Sequence, residues 1–289
     1  LDFTDMPVFD ETVSTYASLF IIQTQNHPKL RLISLSTTDL KVLKRISRLG
    51  FDRARTCFGY RKITRTLSEE PRAPWAPIGR DSMRIIRRVI NRHQTLEDRG
   101  FVVRKGPATG ADKVFIRPSG EFPFNKETSD EYLRRYERAG SKKSEEQILS
   151  PYRGGKLIAL HELNGEVKKY LESNREKLEG RYIVRKGKAE WWSTIDKVDF
   201  SIAESAKVLI PDYGNPGDVS INGFSAIPGH SIVFINHGDE NTLESLKRAM
   251  NHPLISLIRL WKAPPLRGRK LRSASTVVKG LPAPSTDGQ

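Results

Sequence analysis

Short apolar segments that end at a proline or a glycine constrain the fold of this chain more than any other sequence feature. Residues 207–210 stop at Pro211, and residues 224–227 and 231–235 lie on either side of the pair Pro228-Gly229. Runs of this length between such breakers are typical of buried strands. Because proline and glycine favour turns, the pattern predicts a mixed sheet built from short strands.

Helical spacing is also present. Val167, Tyr170, Leu171 and Leu178 recur at the intervals of one helix face, so a helix is predicted over residues 166–178, ending at Gly180. Further helices are predicted around residues 40–46, 83–90, 130–148 and 241–250. Helices and strands are therefore interspersed, and the predicted fold class is mixed α/β.

A hairpin and several isolated strands complete the predicted elements. The hairpin would join residues 101–103 to 113–116 through a loop rich in glycine and proline. Additional strands are predicted at residues 1–3, 16–23 and 156–159. The two early strands cannot form an independent core. We therefore expect the chain, which opens at Leu1, to be a fragment that leans on a larger sheet.

Two stretches are predicted to lack regular structure. Prolines at positions 71, 74 and 77 indicate a linker over residues 56–80. Residues 26–36 are mixed and polar in composition, and no element is assigned to them. After Trp261 the chain is rich in proline, glycine, serine and charge. Such a composition is too poor in apolar residues to fold alone, so a disordered basic tail is expected over 263–289.

Charge indicates the partner. The chain carries 49 Lys and Arg against 34 Asp and Glu, which gives a formal net charge of +15 and a pI near 9.9. A polyanion is attracted by such a balance, so nucleic acid is the leading partner, with a merely solvated basic surface as the alternative. The apolar runs are shorter than the roughly 18 residues that a membrane span needs, so no membrane partner is expected.

Metal and hydrolytic chemistry find no support in the sequence. The single cysteine, Cys57, permits no internal disulfide, which favours a cytoplasmic location, and the six histidines lack metal-binding spacing. No phosphate-binding loop, nucleophile elbow or dinucleotide fingerprint occurs. We therefore assign no catalytic residue and no metal ligand.

The best binding candidate is the loop at residues 104–113. Its glycines permit close backbone approach, and its cations and hydroxyl can meet phosphates or base edges. The candidate residues are Arg104, Lys105, Gly106, Thr109, Gly110 and Lys113. The alternative is an ordinary turn with surface lysines.

A second candidate combines cations with aromatic rings. Residues 181–188, which include Arg181 and Lys186, supply cations just before Glu190, Trp191 and Trp192, and the two tryptophans could stack on a base. The alternative is that one or both tryptophans are anchors of the core.

These stretches, taken in order, resemble a known family. The residues that carry the resemblance are Arg99-Gly100-Phe101, residues 105–116, Tyr170-Leu171, Arg175, Leu178, Arg181, Trp191-Trp192 and residues 207–212. Together they are similar to the target-recognition region of adenine-specific DNA methyltransferases of restriction-modification systems, with a TaqI-like C-terminal specificity domain. The opening residues Asp2-Phe3, 7–9 and 15–17 similarly resemble the last strands of that family's Rossmann-like catalytic sheet.

The resemblance implies four parts. Residues 1–36 would be the remnant of the methyltransferase catalytic domain and 37–98 a helical, proline-rich basic linker. Residues 99–262 would form the mixed α/β target-recognition domain, and 263–289 the tail. The family uses S-adenosylmethionine and methylates the exocyclic amino group of a flipped adenine, which an Asn/Asp-Pro-Pro-Tyr/Phe motif holds. Neither that motif nor the cofactor motif occurs in this chain, so no cofactor is expected to bind it.

The leading hypothesis is therefore the DNA-recognition part of such an enzyme, inactive on its own, with double-stranded DNA as partner. A nuclease domain or subunit is a further partner that the family implies. One alternative is a stand-alone specificity module that serves a separate methylase or nuclease. Another is a single-strand binder that uses Trp191 and Trp192 as stacking platforms.

Overall fold

The computed structural model describes residues 29–34, 61–66, 78, 80–139, 145–215, 217–222, 226–237, 239–263 and 270–284. The chain divides into two compact units. Unit 1 comprises Leu1–Arg99, Tyr213–Gly217 and Ala249–Gln289, and unit 2 comprises Gly100–Asp212 and Asp218–Arg248.

The described elements are short and of both types. The strands are β1 (Lys29–Ser34), β2 (Arg61–Thr66), β3 (Val103–Lys105), β4 (Ile116–Pro118), β5 (Leu133–Glu137), β6 (Glu146–Leu149), β7 (Tyr152–Arg153), β8 (Lys156–Leu157), β9 (Lys207–Pro211), β10 (Tyr213–Gly214), β11 (Ser220–Asn222), β12 (Ala226–Pro228), β13 (Ile232–Asn236) and β14 (Leu271–Arg272). The helices are α1 (Arg80–Ile90), α2 (Asp112–Phe115), α3 (Lys126–Tyr132), α4 (Gly165–Ser173), α5 (Arg175–Glu179), α6 (Tyr182–Arg185), α7 (Glu240–Met250), α8 (Pro253–Lys262) and α9 (Ser275–Lys279). The predicted mixed α/β class is confirmed.

Unit 2 is built on two four-stranded sheets. One has the antiparallel order β11-β9-β13-β3, and the other has the order β12-β5-β6-β4, in which only β12 and β5 run parallel. Buried side chains of the two sheets share one cluster, to which Tyr136 and Ile148 contribute from one sheet and Leu209 and Phe234 from the other. The predicted strands at 207–210 and 231–235 are thus confirmed, and they lie in the centre of a sheet.

A second buried cluster lies under α4 and α5. Val167, Tyr170 and Leu178 pack there with Phe115, and the Tyr170 hydroxyl donates a hydrogen bond to the Val114 carbonyl at 2.7 Å. The predicted helix over 166–178 is confirmed, and its apolar residues are buried together as expected. Asn174 divides it into two helices, α4 and α5. Its side-chain amide donates to the Tyr170 carbonyl at 2.9 Å, which competes with the regular backbone ladder.

Unit 1 contains α1, α8 and the segment after residue 270. Met83 and Ile86 are buried on α1, which packs against α8. The amide of Leu96 donates to the Leu281 carbonyl at 2.8 Å, and both of these side chains are fully buried. The expected disordered tail is therefore wrong for residues 270–284, because its few apolar side chains find partners that are distant in sequence.

Three other predictions are wrong. Residues 101–116 form no hairpin, since β3 pairs with β13 while residues 112–115 are helical. Residues 133–137 and 146–149 pair as antiparallel strands where a helical stretch interrupted at Gly140 was expected. Leu133 and Tyr136 are three residues apart, as on a helix face, but they are buried in different clusters because a strand places them on opposite faces. β2 lies inside the predicted linker and pairs as an antiparallel strand with β1, which lies in a stretch to which no element was assigned. The β-branched residues of β2, Ile63, Thr64 and Thr66, favour that conformation.

The predicted helices at 83–90 and 241–250 are confirmed by α1 and α7. The predicted strands at 1–3 and 16–23 and the helix at 40–46 lie outside the described residues. Among the helices that are described, none has both the length and the apolar character needed to cross a membrane.

Candidate nucleic-acid interface

The loop at residues 104–113 begins with two exposed cations on β3. Arg104 and Lys105 both face solvent, and the Lys105 ammonium lies 2.7 Å from a carboxylate oxygen of Asp212. The Asp212 side chain is only 7% exposed. A carboxylate so shielded needs a partner, so Lys105 has a structural role independent of any ligand.

Gly106 is buried and serves packing. Its amide donates to the Ile232 carbonyl at 2.9 Å, and a Cβ at this position would lie 2.1 Å from the Gly229 carbonyl oxygen. Only a glycine allows this approach of two backbones. The sequence predicted close approach of this backbone to a phosphate, whereas in the structure Gly106 closely approaches the turn at residues 228–229.

Thr109 and Gly110 are likewise tied to the protein. The Thr109 hydroxyl donates to Asp112 at 2.5 Å and accepts from the Ala111 amide at 3.1 Å, and the residue is 1% exposed. Gly110 has φ +72° and packs against the Ile195 side chain. Lys113, on α2, is exposed. Of the loop, Arg104 and Lys113 therefore present charge to solvent beside the paired Lys105.

Arg181 is a buried clamp. Its guanidinium donates to the carbonyls of Leu178 at 2.9 Å, Thr109 at 3.2 Å and Trp191 at 2.7 Å, and it lies 5.8 Å from the Phe115 ring centroid. Burial lowers the pKa of Arg181, although a guanidinium remains protonated in proteins. One side chain thus joins three segments of unit 2.

The two tryptophans anchor the core. Trp191 belongs to the buried cluster under α4 and α5, with the Arg175 guanidinium 5.0 Å from its ring centroid. Trp192 is half-buried and donates from its indole nitrogen to the Ile158 carbonyl at 3.0 Å. Trp191 is buried and Trp192 packs partly against the same cluster, which favours the core-anchor alternative.

Exposed cations and an aromatic ring meet in the turn that follows Arg181. We call residues 182–188 the basic-aromatic turn. Tyr182 is 69% exposed, and the Lys186 ammonium lies 5.7 Å from its ring centroid. Arg185 and Lys188 are also exposed. The turn is closed by backbone bonds, including the Lys186 amide to the Tyr182 carbonyl at 3.1 Å and the Lys188 amide to the Ile183 carbonyl at 3.0 Å.

The chemistry of this turn suits a polyanion. Its sequence contains three cations and no acidic residue. Lysine and arginine can neutralise phosphates, and an exposed tyrosine ring can stack on a base or a sugar. The sequence prediction covered the cations of residues 181–188 and singled out Lys186, but it assigned no binding role to the Tyr182 ring. The four-residue interval between Tyr182 and Lys186 is the signal that could have found the pair.

The described residues do not fit S-adenosylmethionine. Such a cofactor binds at the carboxyl ends of parallel strands, and in the described part of unit 2 only β5 and β12 pair in parallel. A cavity of about 280 Å³ in this unit is lined partly by carboxylates, among them Glu131, Asp199 and Glu204. Ligand pockets usually have volumes of about 300 to 1,000 Å³. This part of the chain therefore does not supply the arrangement that such a cofactor needs.

Comparison with known proteins gives a consistent group of relatives. No protein-family model matches the chain. It is similar to the Type II methyltransferase M.PaeR7I of Pseudomonas aeruginosa, with 26% identity over 98% of this chain and 50% of that protein. The Type II methyltransferase M.BstVI of Geobacillus stearothermophilus is 24% identical over 96% of this chain and 51% of that protein. M.XhoI of Xanthomonas vasicola is 25% identical over 73% and 39%.

The chain thus spans about half the length of the first two curated relatives. Among solved structures it is similar to the Type IIL restriction-modification enzyme MmeI in complex with DNA, with 14% identity and a TM-score of 0.46 over 62% of this chain and 24% of that one. The type IIG restriction endonuclease BpuSI gives 13% identity and a TM-score of 0.42 over 91% and 34%. The predicted resemblance to restriction-modification methyltransferases is confirmed by the curated relatives.

Proposed function

We propose that this chain, whose relatives are Type II methyltransferases, is the DNA-recognition part of a site-specific adenine DNA methyltransferase. The observation that carries the proposal is the basic-aromatic turn, which follows the buried Arg181 directly and exposes Tyr182, Arg185, Lys186 and Lys188. Duplex DNA is the partner that such a surface, in a chain of net charge +15, suits best.

Rigidity supports this role. A recognition surface is more precise when its supporting side chains are fixed in advance. Arg181 is hydrogen-bonded to carbonyls of residues 109, 178 and 191, so the first residue of the turn, Tyr182, starts from a fixed point. The exposed cations of the turn would then contact phosphates, and the Tyr182 ring would contact a base or a sugar.

The predicted binding residues divide into two groups under this proposal. Arg104, Lys113 and Lys186 are exposed and remain candidates for direct contact. Gly106, Thr109, Arg181 and Trp191 are buried and would position that surface from within. Lys105, Gly110 and Trp192 contact Asp212, Ile195 and Ile158, and we propose them as further supports.

Methyl transfer would require residues outside this chain. S-adenosylmethionine would supply the methyl group for the exocyclic amine of adenine in the whole enzyme. The motif that holds the extruded base does not occur in this sequence, and the nearest string, Ala263-Pro264-Pro265-Leu266, lacks both its amide and its aromatic ring. We therefore expect no methyl transfer by the chain alone. A nuclease partner stays a prediction.

The test is selection from a pool of randomised DNA duplexes, followed by affinity measurement on the enriched sequence. We expect the chain to enrich one motif. The double variant Tyr182→Ala/Lys186→Gln should bind that motif at least about tenfold more weakly. The matched control is Lys168→Gln/Lys169→Gln on α4, which removes one more cation. Failure to enrich any motif, or equal losses in both variants, would contradict the proposal.

A further inference from the structure

Three exposed arginines in unit 1, which we call the arginine row, lie on α1 and in the turn directly after it, away from the basic-aromatic turn in sequence. Arg84 and Arg88 are on α1, and Arg92 lies two residues beyond its end. Arg84, Arg88 and Arg92 follow one another at four-residue intervals, and all three are exposed. Met83 and Ile86 are buried. At about 100° of rotation per residue, the buried pair falls on one side of α1 and the two helical arginines, Arg84 and Arg88, fall on the other. The apolar side is thus used by the fold, and the cationic side faces solvent.

This arrangement costs helix stability. Like charges four residues apart on a helix destabilise it. Residues 80–92 contain five arginines and one acidic residue, Asp81, whose carboxylate lies 3.8 Å from Arg84. That pair is highly exposed, with 69% of the Arg84 and 91% of the Asp81 side chain accessible, so it offsets little of the repulsion.

The helix dipole explains only part of the row. Cations in the last turn interact favourably with the carboxyl end of a helix, which accounts for Arg88. Arg84 lies in the first half of the helix and gains nothing from that end. A bound polyanion would offset the repulsion between these arginines, because each guanidinium can form bidentate hydrogen bonds with a phosphate.

We infer that Arg84, Arg88 and Arg92 bind the phosphates of duplex DNA without reading its sequence. This inference rests on the proposed function and adds to it a second, non-specific contact in unit 1. The basic-aromatic turn would select the DNA sequence, and the arginine row would contribute an affinity that is the same on every sequence.

The experiment compares the triple variant Arg84→Gln/Arg88→Gln/Arg92→Gln with the unchanged 289-residue chain over a range of salt concentrations. The slope of log affinity against log salt should fall by about 2.7, because each phosphate contact contributes about 0.9. Affinity at low salt should fall about tenfold or more, by the same factor on the enriched motif and on random duplexes.

Two further variants serve as controls. Lys168→Gln/Lys169→Gln/Lys177→Gln removes the same charge from α4 and α5, where residues 165–179 carry equal numbers of cations and acids, and it should leave the slope unchanged. Arg84→Lys/Arg88→Lys/Arg92→Lys keeps the charge and should keep most of the slope. The glutamine variant should melt at the same or a higher temperature than the unchanged chain, because repulsion is relieved.

Equal slope changes in the glutamine variant and its α4–α5 control would overturn the inference, as would an unchanged slope in the glutamine variant. Loss of binding to double-stranded RNA or to anionic vesicles with unaltered DNA binding would overturn it as well. If the chain binds duplexes but enriches no motif, the proposed function fails and the arginine row can still be measured. If a motif is enriched and the slope does not change, the row alone fails.

Discussion

The loop at residues 104–113 and the basic-aromatic turn look alike in sequence and differ in the structure. Each contains glycine and three cations: Arg104, Lys105 and Lys113 in the loop, and Arg185, Lys186 and Lys188 in the turn. In the loop, Gly106 and Thr109 are buried and Lys105 is paired with Asp212. In the turn, all three cations are exposed beside an exposed tyrosine. Composition therefore indicated cationic side chains in both segments. Burial and pairing decide which of those side chains a ligand can reach.

The largest effect on stability is expected at Arg181, a buried cation that directly precedes the turn. Arg185, within the turn, is exposed. Arg181→Met should lower the free energy of unfolding by about 4 kcal/mol, because three hydrogen bonds from a charged donor contribute about 1.5 kcal/mol each. Urea denaturation measures this change.

The matched control is Arg185→Met, four residues later on α6. It should change the free energy of unfolding by less than about 0.5 kcal/mol, since surface substitutions usually do. If the two variants were equally stable, the contrast between a structural cation and a surface cation would be lost.

A second buried cation, Lys207, should make the stability of the fold depend on pH. Lys207 is fully buried in β9, with its ammonium 3.4 Å from the Ala226 carbonyl, and burial lowers its pKa to about 8 against partial compensation by Glu137. Between pH 8 and 10.5 the unfolded chain holds this proton more tightly than the folded one. Relative to Lys207→Met, the unchanged chain should therefore gain roughly 3 kcal/mol of stability as pH rises through that window.

Urea denaturation of both proteins at pH 7.5 and pH 10.5 checks this prediction. The quantity to compare is the difference in free energy of unfolding between the two proteins, because the other titratable groups contribute equally to both. A difference that stays constant would show that the ammonium is solvated in the folded state.

What the sequence could predict depended on how local the signal was. The spacing of Val167, Tyr170 and Leu171 lies within one helix, and the apolar run at 207–210 lies within one strand, so both were found. The burial of the loop depends on Ile232 and Gly229, more than one hundred residues away. No period or motif in a single sequence reports such a partner.

The same reason explains the tail and the tryptophans. Leu281 is buried by pairing with Leu96, across most of the chain, so its segment looked disordered when considered alone. For Trp191 the sequence left two interpretations open, and only the packed cluster favours the core. The turn was found in part through Lys186, but the exposure of Tyr182 is a property of the fold and not of the pattern.

The smallest expected effect separates two lysines of the loop itself. Lys105→Ala should lower the free energy of unfolding by about 2 kcal/mol, because it leaves the shielded Asp212 carboxylate without this partner. Lys113→Ala removes an exposed cation and should change it by less than about 0.5 kcal/mol. Urea denaturation of the two variants gives both numbers.

DNA affinity, measured on the same two variants, distinguishes a lysine that contacts DNA from one that only stabilises the fold. If Lys113 contacts a phosphate, Lys113→Ala weakens binding while the fold stays intact, and Lys105→Ala weakens binding only as far as its unfolding does. The variant Lys105→Ala/Asp212→Asn separates these causes, because the neutral amide no longer needs a cation and stability should return in part. A double variant that regains stability but still binds DNA poorly would make Lys105 a DNA contact as well, and the loop would then resemble the basic-aromatic turn more closely than its buried Gly106 and Thr109 suggest.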